Sequence, residues 1–421
     1  MSQTTEHPAK TPAAPSEPAS WRLFALLAAI VVGILLSVQT GSFPAVAFVL
    51  ALVLSVMLHE AGHFITAKWS GMKVTEFFFG FGPRLWSFRK GETEYGAKAI
   101  PAGGYVKIIG MSNLDKDVDP TDEPRTYRQQ SYGKRVLVAV AGIVTHFVIA
   151  FLLLVLVWTV VGVPRDDRPT LEIGAISRLE DRPSPAQVAG FRVGDRVVSV
   201  DGMPVSRWQE IPPYIRERGG QAISVVVERD GARRTLVVTP DPTNPEGEEV
   251  GFVGIGSKVA VERVGLITAI GRSTNQLGRL TVASVKALGS FFSPSSLRDY
   301  GDQLTGKSSE ADRENRPVSV VGVTRIADQA AENGLFDFFG ILVLLNVFVG
   351  VFNMVPLLPL DGGHIAIATY ERIRSRKGRR YQADVTKLLP LTAVVVAALV
   401  VLGVSSVWLD IVDPVGNPFT P

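Results

Sequence analysis

Five long apolar runs divide the chain: Arg22 to Val38, Phe43 to Ile65, Val136 to Val161, Phe338 to Leu358 and Leu388 to Trp408. Each approaches or exceeds the roughly 20 residues a helix needs to cross the hydrocarbon of a bilayer. Only QTGS separates the first run from the second, and no A-x-A cleavage site follows it. The pair therefore reads as a helical hairpin, with an extra membrane segment over 21–38, the alternative being an interfacial or cleaved segment. Between the runs the pattern changes. Residues 1–20 are rich in Pro, Ala, Ser and Thr and are expected to be a disordered tail. Over 74–109, aromatic and β-branched residues alternate between the turns GFGP, RKGE and PAGG, which predicts short strands. Residues 168–256 hold a helix-and-turn stretch (SPAQVAGFRVGDRVVSVDGMPV), a second helix over WQEIPPYIRER, and the strands ISVVVERDG and RRTLVVTP. Alternation such as I-S-V-V-V-E fits a half-buried sheet. Residues 263–293 read as an amphipathic helix, opening a helical linker that runs to 335 through the polar loop SSEADRENRP.

Composition sharpens this picture. The chain has 421 residues, 46% of them hydrophobic, concentrated in the runs rather than spread as a soluble core would spread them. A formal charge of +3, with no basic helix or aromatic RNA motif, argues against a nucleic-acid partner. There is no cysteine, so disulfides and thiolate metal sites are excluded. The segment between the last two runs carries Arg372, Arg374, Arg376, Lys377, Arg379, Arg380 and Lys387, and the positive-inside rule makes it cytoplasmic. Counting back, 66–135 is cytoplasmic too, and it is basic near its ends at Lys68, Lys73, Lys134 and Arg135. The stretch 162–337 then lies outside.

The second run ends in LHEAGH, placing His59, Glu60 and His63 where an ionisable group is costly and usually functional. His59 and His63 are one helical turn apart on one face and can grip a single zinc ion. Glu60 can reach a water on that ion. In the H-E-x-x-H arrangement the metal acidifies the water, glutamate takes the proton and hydroxide attacks a carbonyl. With Lys68 at the interface, helical rise puts the metal about 10 Å inside the membrane. A third ligand is needed, and NMVPLLPLDGGH (353–364) is the best source. Pro356 and Pro359 break the helix there, and broken backbone at membrane depth is tolerated only against protein or a wet cavity. Asp361 sits in that break; it is either the third zinc ligand or the N-cap of a helix starting near His364.

These residues resemble the site-2 protease family of intramembrane zinc metalloproteases, in its bacterial PDZ-containing branch of the sigma-factor-regulating type. HEAGH in one span and NMVPLLPLDGG in a later one carry the likeness, which runs from about residue 43 to 410. It implies a multi-pass α-helical membrane protein with a membrane-reentrant β-loop at 74–109 on the cytoplasmic side and an inserted extracytoplasmic PDZ domain at 168–256. The core would be split into 43–161 and 336–410. The likeness also implies zinc held by His59, His63 and Asp361, Glu60 as catalytic base, and Asn353 binding substrate or the developing oxyanion. The activity implied is metalloendopeptidase cleavage of single-span proteins in the plasma membrane, in regulated intramembrane proteolysis of anti-sigma factors or signal-peptide remnants.

The chain also departs from the family. Leu358 stands where a proline is usual, with Pro359 following, and the third run reads AGIVTH where A-G-P-x-x-N is common. His146 thus replaces the asparagine, and can donate to a carboxylate ligand, a substrate carbonyl or its own helix. The PDZ region could bind peptide ends by strand addition or act as a size filter. Two other classes compete: a PDZ scaffold with a vestigial zinc site, and a zinc-dependent transporter or sensor. Intact HEAGH with Asp361 opposes the first. Glu60 has no use in the second, and no inverted repeat is visible.

Overall fold

The computed structural model describes residues 20–111, 118–177, 179, 182–245, 247–307, 317–375, 379–416 and 418–419. The expected tail, apart from Ser20, and most of the loop SSEADRENRP lie outside these residues. In chain order the first elements are α1 (Ser20–Thr40), α2 (Phe43–Trp69), β1 (Val74–Lys90), β2 (Thr93–Ile108), α3 (Tyr132–Leu156) and β3 (Val163–Ile176). Next come α4 (Pro185–Ala189), β4 (Arg196–Val200), β5 (Met203–Pro204), α5 (Ile211–Arg216), β6 (Ile223–Arg229), β7 (Ala232–Val238) and β8 (Ile255–Glu262). The chain closes with α6 (Leu266–Phe291), α7 (Pro294–Leu304), α8 (Val320–Asn333), α9 (Leu335–Asn353), α10 (Asp361–Arg374) and α11 (Leu389–Val412). Two compact units emerge, one of Met1–Val155 with Ile270–Pro421, the other Leu156–Ala269.

Among the described residues four helical segments are long and apolar enough to span a membrane: Phe43–Trp69, Tyr132–Val161, Leu335–Asn353 and Val385–Val412. The first apolar run forms the 21-residue helix α1. The fourth run was expected to span to Leu358, yet α9 stops at Asn353. Pro356 and Pro359 lack the N–H a helix needs and disfavour helical geometry in the residue before them. The chain restarts as α10 at Asp361.

Small residues let α2 and α3 approach closely, as membrane helices do in place of a hydrophobic drive. A Cβ on Gly62 would stand 2.7 Å from Thr145 Oγ1 and 2.9 Å from the Ala141 carbonyl oxygen. Further along α3, Ala150 and Leu154 pack on Val343, Val347 and Val351, which recur every fourth residue along one face of α9.

β1 and β2 pair so that Phe77 lies opposite both Val106 and Tyr95, while Phe88 also lies opposite Tyr95. Each long strand bends, and the ribbon becomes four short paired segments in the order 84–90, 93–98, 74–79, 104–108. Turn residues marked the bends in advance; the doubled pairing is a tertiary outcome. Glu92, in the turn joining the strands, ties the sheet to its surroundings. It accepts from Arg125 at 2.8 and 2.9 Å and from Lys68 at 2.6 Å. The Arg125 bonds, with Lys68, pull its carboxyl down to about 2.

The second unit is a six-stranded antiparallel sheet in the order β7-β6-β4-β3-β8, with β5 paired to β4. The alternation read in ISVVV is realised, since Ile223, Val225 and Val227 point into a core with Ile173, Val197, Trp208 and Ile211. Its first and last strands, the neighbours β3 and β8, reach beyond 168–256 on both sides, and Val163 pairs with Glu262.

Candidate metal centre

The α2 helix carries His59 and His63 inward, both buried, one turn apart. Asp361 meets them from the first residue of α10. Leu360, not Asp361, occupies the N-cap position, and no side-chain capping bond is made there. The N-cap alternative for Asp361 therefore gives way to a carboxylate turned toward the imidazoles. His59 Nε2 lies 3.4 Å from Asp361 Oδ2, His63 Nε2 lies 3.3 Å from Asp361 Oδ1, and the two Nε2 atoms are 3.1 Å apart. One ligand atom from each of the three residues falls within 4.8 Å of the others.

Hydrogen bonding shows what such a cluster needs. His63 Nδ1 donates to the Val138 carbonyl at 2.7 Å, which leaves Nε2 of the neutral ring as a lone pair. That lone pair faces a second imidazole nitrogen and a carboxylate. Asp361 Oδ2 is buried and has no hydrogen-bond partner among the described residues. Two imidazole nitrogens and two carboxylate oxygens thus crowd within 3.1–3.4 Å of one another, all of them atoms whose lone pairs a single cation could take up together. Two imidazoles and a carboxylate are the donor set of a zinc site with one position left open. The backbone of α3 makes room for it. A Cβ on Gly142 would come 2.6 Å from His59 Cε1 and would overlap His63 Nε2, so only glycine leaves the imidazoles where they are.

Glu60 is half-buried and lies against β2, where a Cβ on Gly104 would be 3.5 Å from its Cγ. His146, on α3, packs its ring on that of His59, with centroids 4.9 Å apart. Asn353 is the last residue of α9, half-buried, and its side chain makes no hydrogen bond among the described residues. One polar residue escaped the sequence reading. Asn346, buried in α9, is bonded to His146. It stands two helical turns before Asn353 inside the run ILVLLNVFVGVFN, and a polar side chain there is the same signal that exposed His59.

The chain is similar over most of its length to known proteins. The model of peptidase family M50 matches residues 47–400. Zinc metalloprotease Rip1 of Mycobacterium tuberculosis is 37% identical over 400 residues, covering 88% of this chain and 97% of that protein. The protein of the same name from Mycolicibacterium smegmatis is 36% identical over 402 residues, with the same coverage of 88% and 97%. Among solved structures, the PDZ domain of an SdrC-like protein from Listeria monocytogenes aligns at 18% identity with a TM-score of 0.18, covering 21% of this chain and 87% of that one. With a family match over most of its length and paired motifs that meet in space, the chain belongs to peptidase family M50, the site-2 protease family of zinc metalloproteases.

Proposed function

We propose that this peptidase cuts single-span membrane proteins within or beside their membrane segment, with His59, His63 and Asp361 holding zinc and Glu60 as general base. The convergence of the three ligands with Glu60 adjacent carries the reading. Zinc, when bound, acidifies water and polarises a carbonyl. The residues do the rest. Val138 fixes the His63 ring, as the outer partners of metal-binding histidines do. Glu60 takes a proton from the attacking water and returns one to the leaving amine. Asn353 offers an amide to the substrate carbonyl.

A helical substrate hides its peptide bonds and must be unwound. The segment 104–108 is an outer segment of the β1–β2 sheet and runs beside Glu60, a position from which strand addition would hold an unwound chain against the base. Sidedness follows from charge, with the active site toward the cytoplasm and the second unit outside. Two contacts support placing both basic loops on one side. Arg135 pairs with Glu371 at 2.6 Å, and Arg380 donates to the carbonyls of Arg128, Gln129 and Gln130 at 2.6–2.8 Å. Loops that touch share a face of the membrane. Anti-sigma factors and signal-peptide remnants are the substrates implied by the family resemblance alone. The test is cleavage of a single-span substrate by the purified protein in zinc-loaded vesicles, with the cut mapped by mass. We expect a cut at membrane depth that chelation stops and zinc restores; a chelator-insensitive cut, or one far out in a soluble domain, overturns the reading.

The second unit reads as a PDZ domain, supported by its antiparallel sheet and two short helices. Because Val163 and Glu262 are paired, the ends of the insertion are neighbours. Replacing 163–262 by a short Gly/Ser linker should leave bound zinc unchanged and admit substrates with large outer domains. Unaltered selectivity in the excised protein would end both the filter and the peptide-binding roles.

A further inference from the structure

Asn346 lies in the middle of α9 with 3% of its surface exposed. Its Nδ2 donates to the Leu342 carbonyl one turn back, at 2.8 Å, so Oδ1 is the atom that meets α3. There it is 3.0 Å from His146 Nδ1. An amide oxygen only accepts, so the imidazole proton is on Nδ1, and Nε2 of the neutral ring carries a lone pair. The donor role expected for His146 toward ligand or substrate is therefore spent on Asn346. What the ring has left to offer is an acceptor, and the ring packs, tilted by 40°, against that of the proposed ligand His59 with centroids 4.9 Å apart.

We infer that Asn346 and His146 work as one device that presents Nε2 as a fixed acceptor to a backbone N–H of the unwound substrate. This rests on the proposed cleavage of membrane segments and deepens it. A segment unwound in hydrocarbon loses its i→i−4 partners, and each backbone group left unsatisfied there is costly. Strand addition along 104–108 satisfies only the groups that face that segment, because alternate residues point their amides the opposite way. An acceptor supplied by α3, held in one tautomer by a buried amide, meets that need. Asn346 touches no substrate; it is a positioning residue acting through His146.

The experiment is a double-mutant cycle on the zinc-loaded full chain in vesicles. Asn346→Leu and His146→Leu should each lower kcat/KM about tenfold, chiefly through KM, since an interaction present in both ground and transition states is lost. The double variant should lose about tenfold as well, because either change alone disables the pair. His146→Gln, whose amide can donate to Asn346 and whose carbonyl can accept, should retain most of the activity. Bound zinc should match the parent in all four. Losses that multiply in the double variant, or zinc that falls in step with activity, overturn the pair. The tautomer is read without any substrate from the ¹⁵N resonances of labelled histidine. An unprotonated, pyridine-type Nε2 at His146 that loses its preference in Asn346→Leu is expected, and a protonated Nε2 in the parent overturns the inference. Should the parent protein cleave nothing, the functional reading fails while this measurement still decides the pair.

Discussion

Glu60→Gln is expected to lower cleavage of a single-span substrate by roughly two to four orders of magnitude, the range a positioned general base contributes. The substitution keeps the shape of the side chain and removes its ability to take a proton. It also leaves His59, His63 and Asp361, the three residues that converge within 4.8 Å, untouched. Bound zinc should therefore stay at one ion per chain. The combination is diagnostic, because a protein held together by Glu60 would lose metal and stability along with activity. Zinc by elemental analysis and product by mass spectrometry decide the matter. Cleavage within tenfold of the parent would remove Glu60 from the role of base.

Asp361→Ala is expected to fail differently, losing zinc and activity together. Removing one of three protein ligands should weaken zinc by more than the tenfold to hundredfold typical of groups that merely support a ligand. The competing role is electrostatic. A carboxylate in the first turn of α10 stabilises the helix N-terminus, worth about 0.3–1 kcal/mol. Under that role alone the variant would unfold slightly earlier with its metal in place. Full zinc in folded Asp361→Ala protein would therefore exclude it as a ligand.

What the sequence disclosed followed from how narrowly the physics constrains it. Lipid demands long apolar stretches, so the helical spans were legible from hydropathy, and Pro356 and Pro359 marked the break that follows α9. A histidine pair four residues apart on a helix has one shared face, so His59 and His63 were legible together. Asp361 was legible because a charge in a broken membrane helix needs a partner. The remainder depended on contacts between distant segments. Gly142 looks like any glycine in an apolar helix until the imidazoles of α2 are seen against it. Asn346 carries no local motif, and its meaning comes from His146 on another helix. The double pairing of Phe77 follows from strands that bend, which alternation alone does not specify.

The placement of the second unit inside the first has a consequence for biogenesis. His59 and His63 are synthesised before the whole of Leu156–Ala269, and Asp361 after it. A ribosome-bound chain that has inserted α2 and α3 carries two of the three proposed ligands and the proposed base, without the carboxylate proposed to complete the set. On that proposal the nascent protein passes through translation and membrane insertion with its metal centre still incomplete.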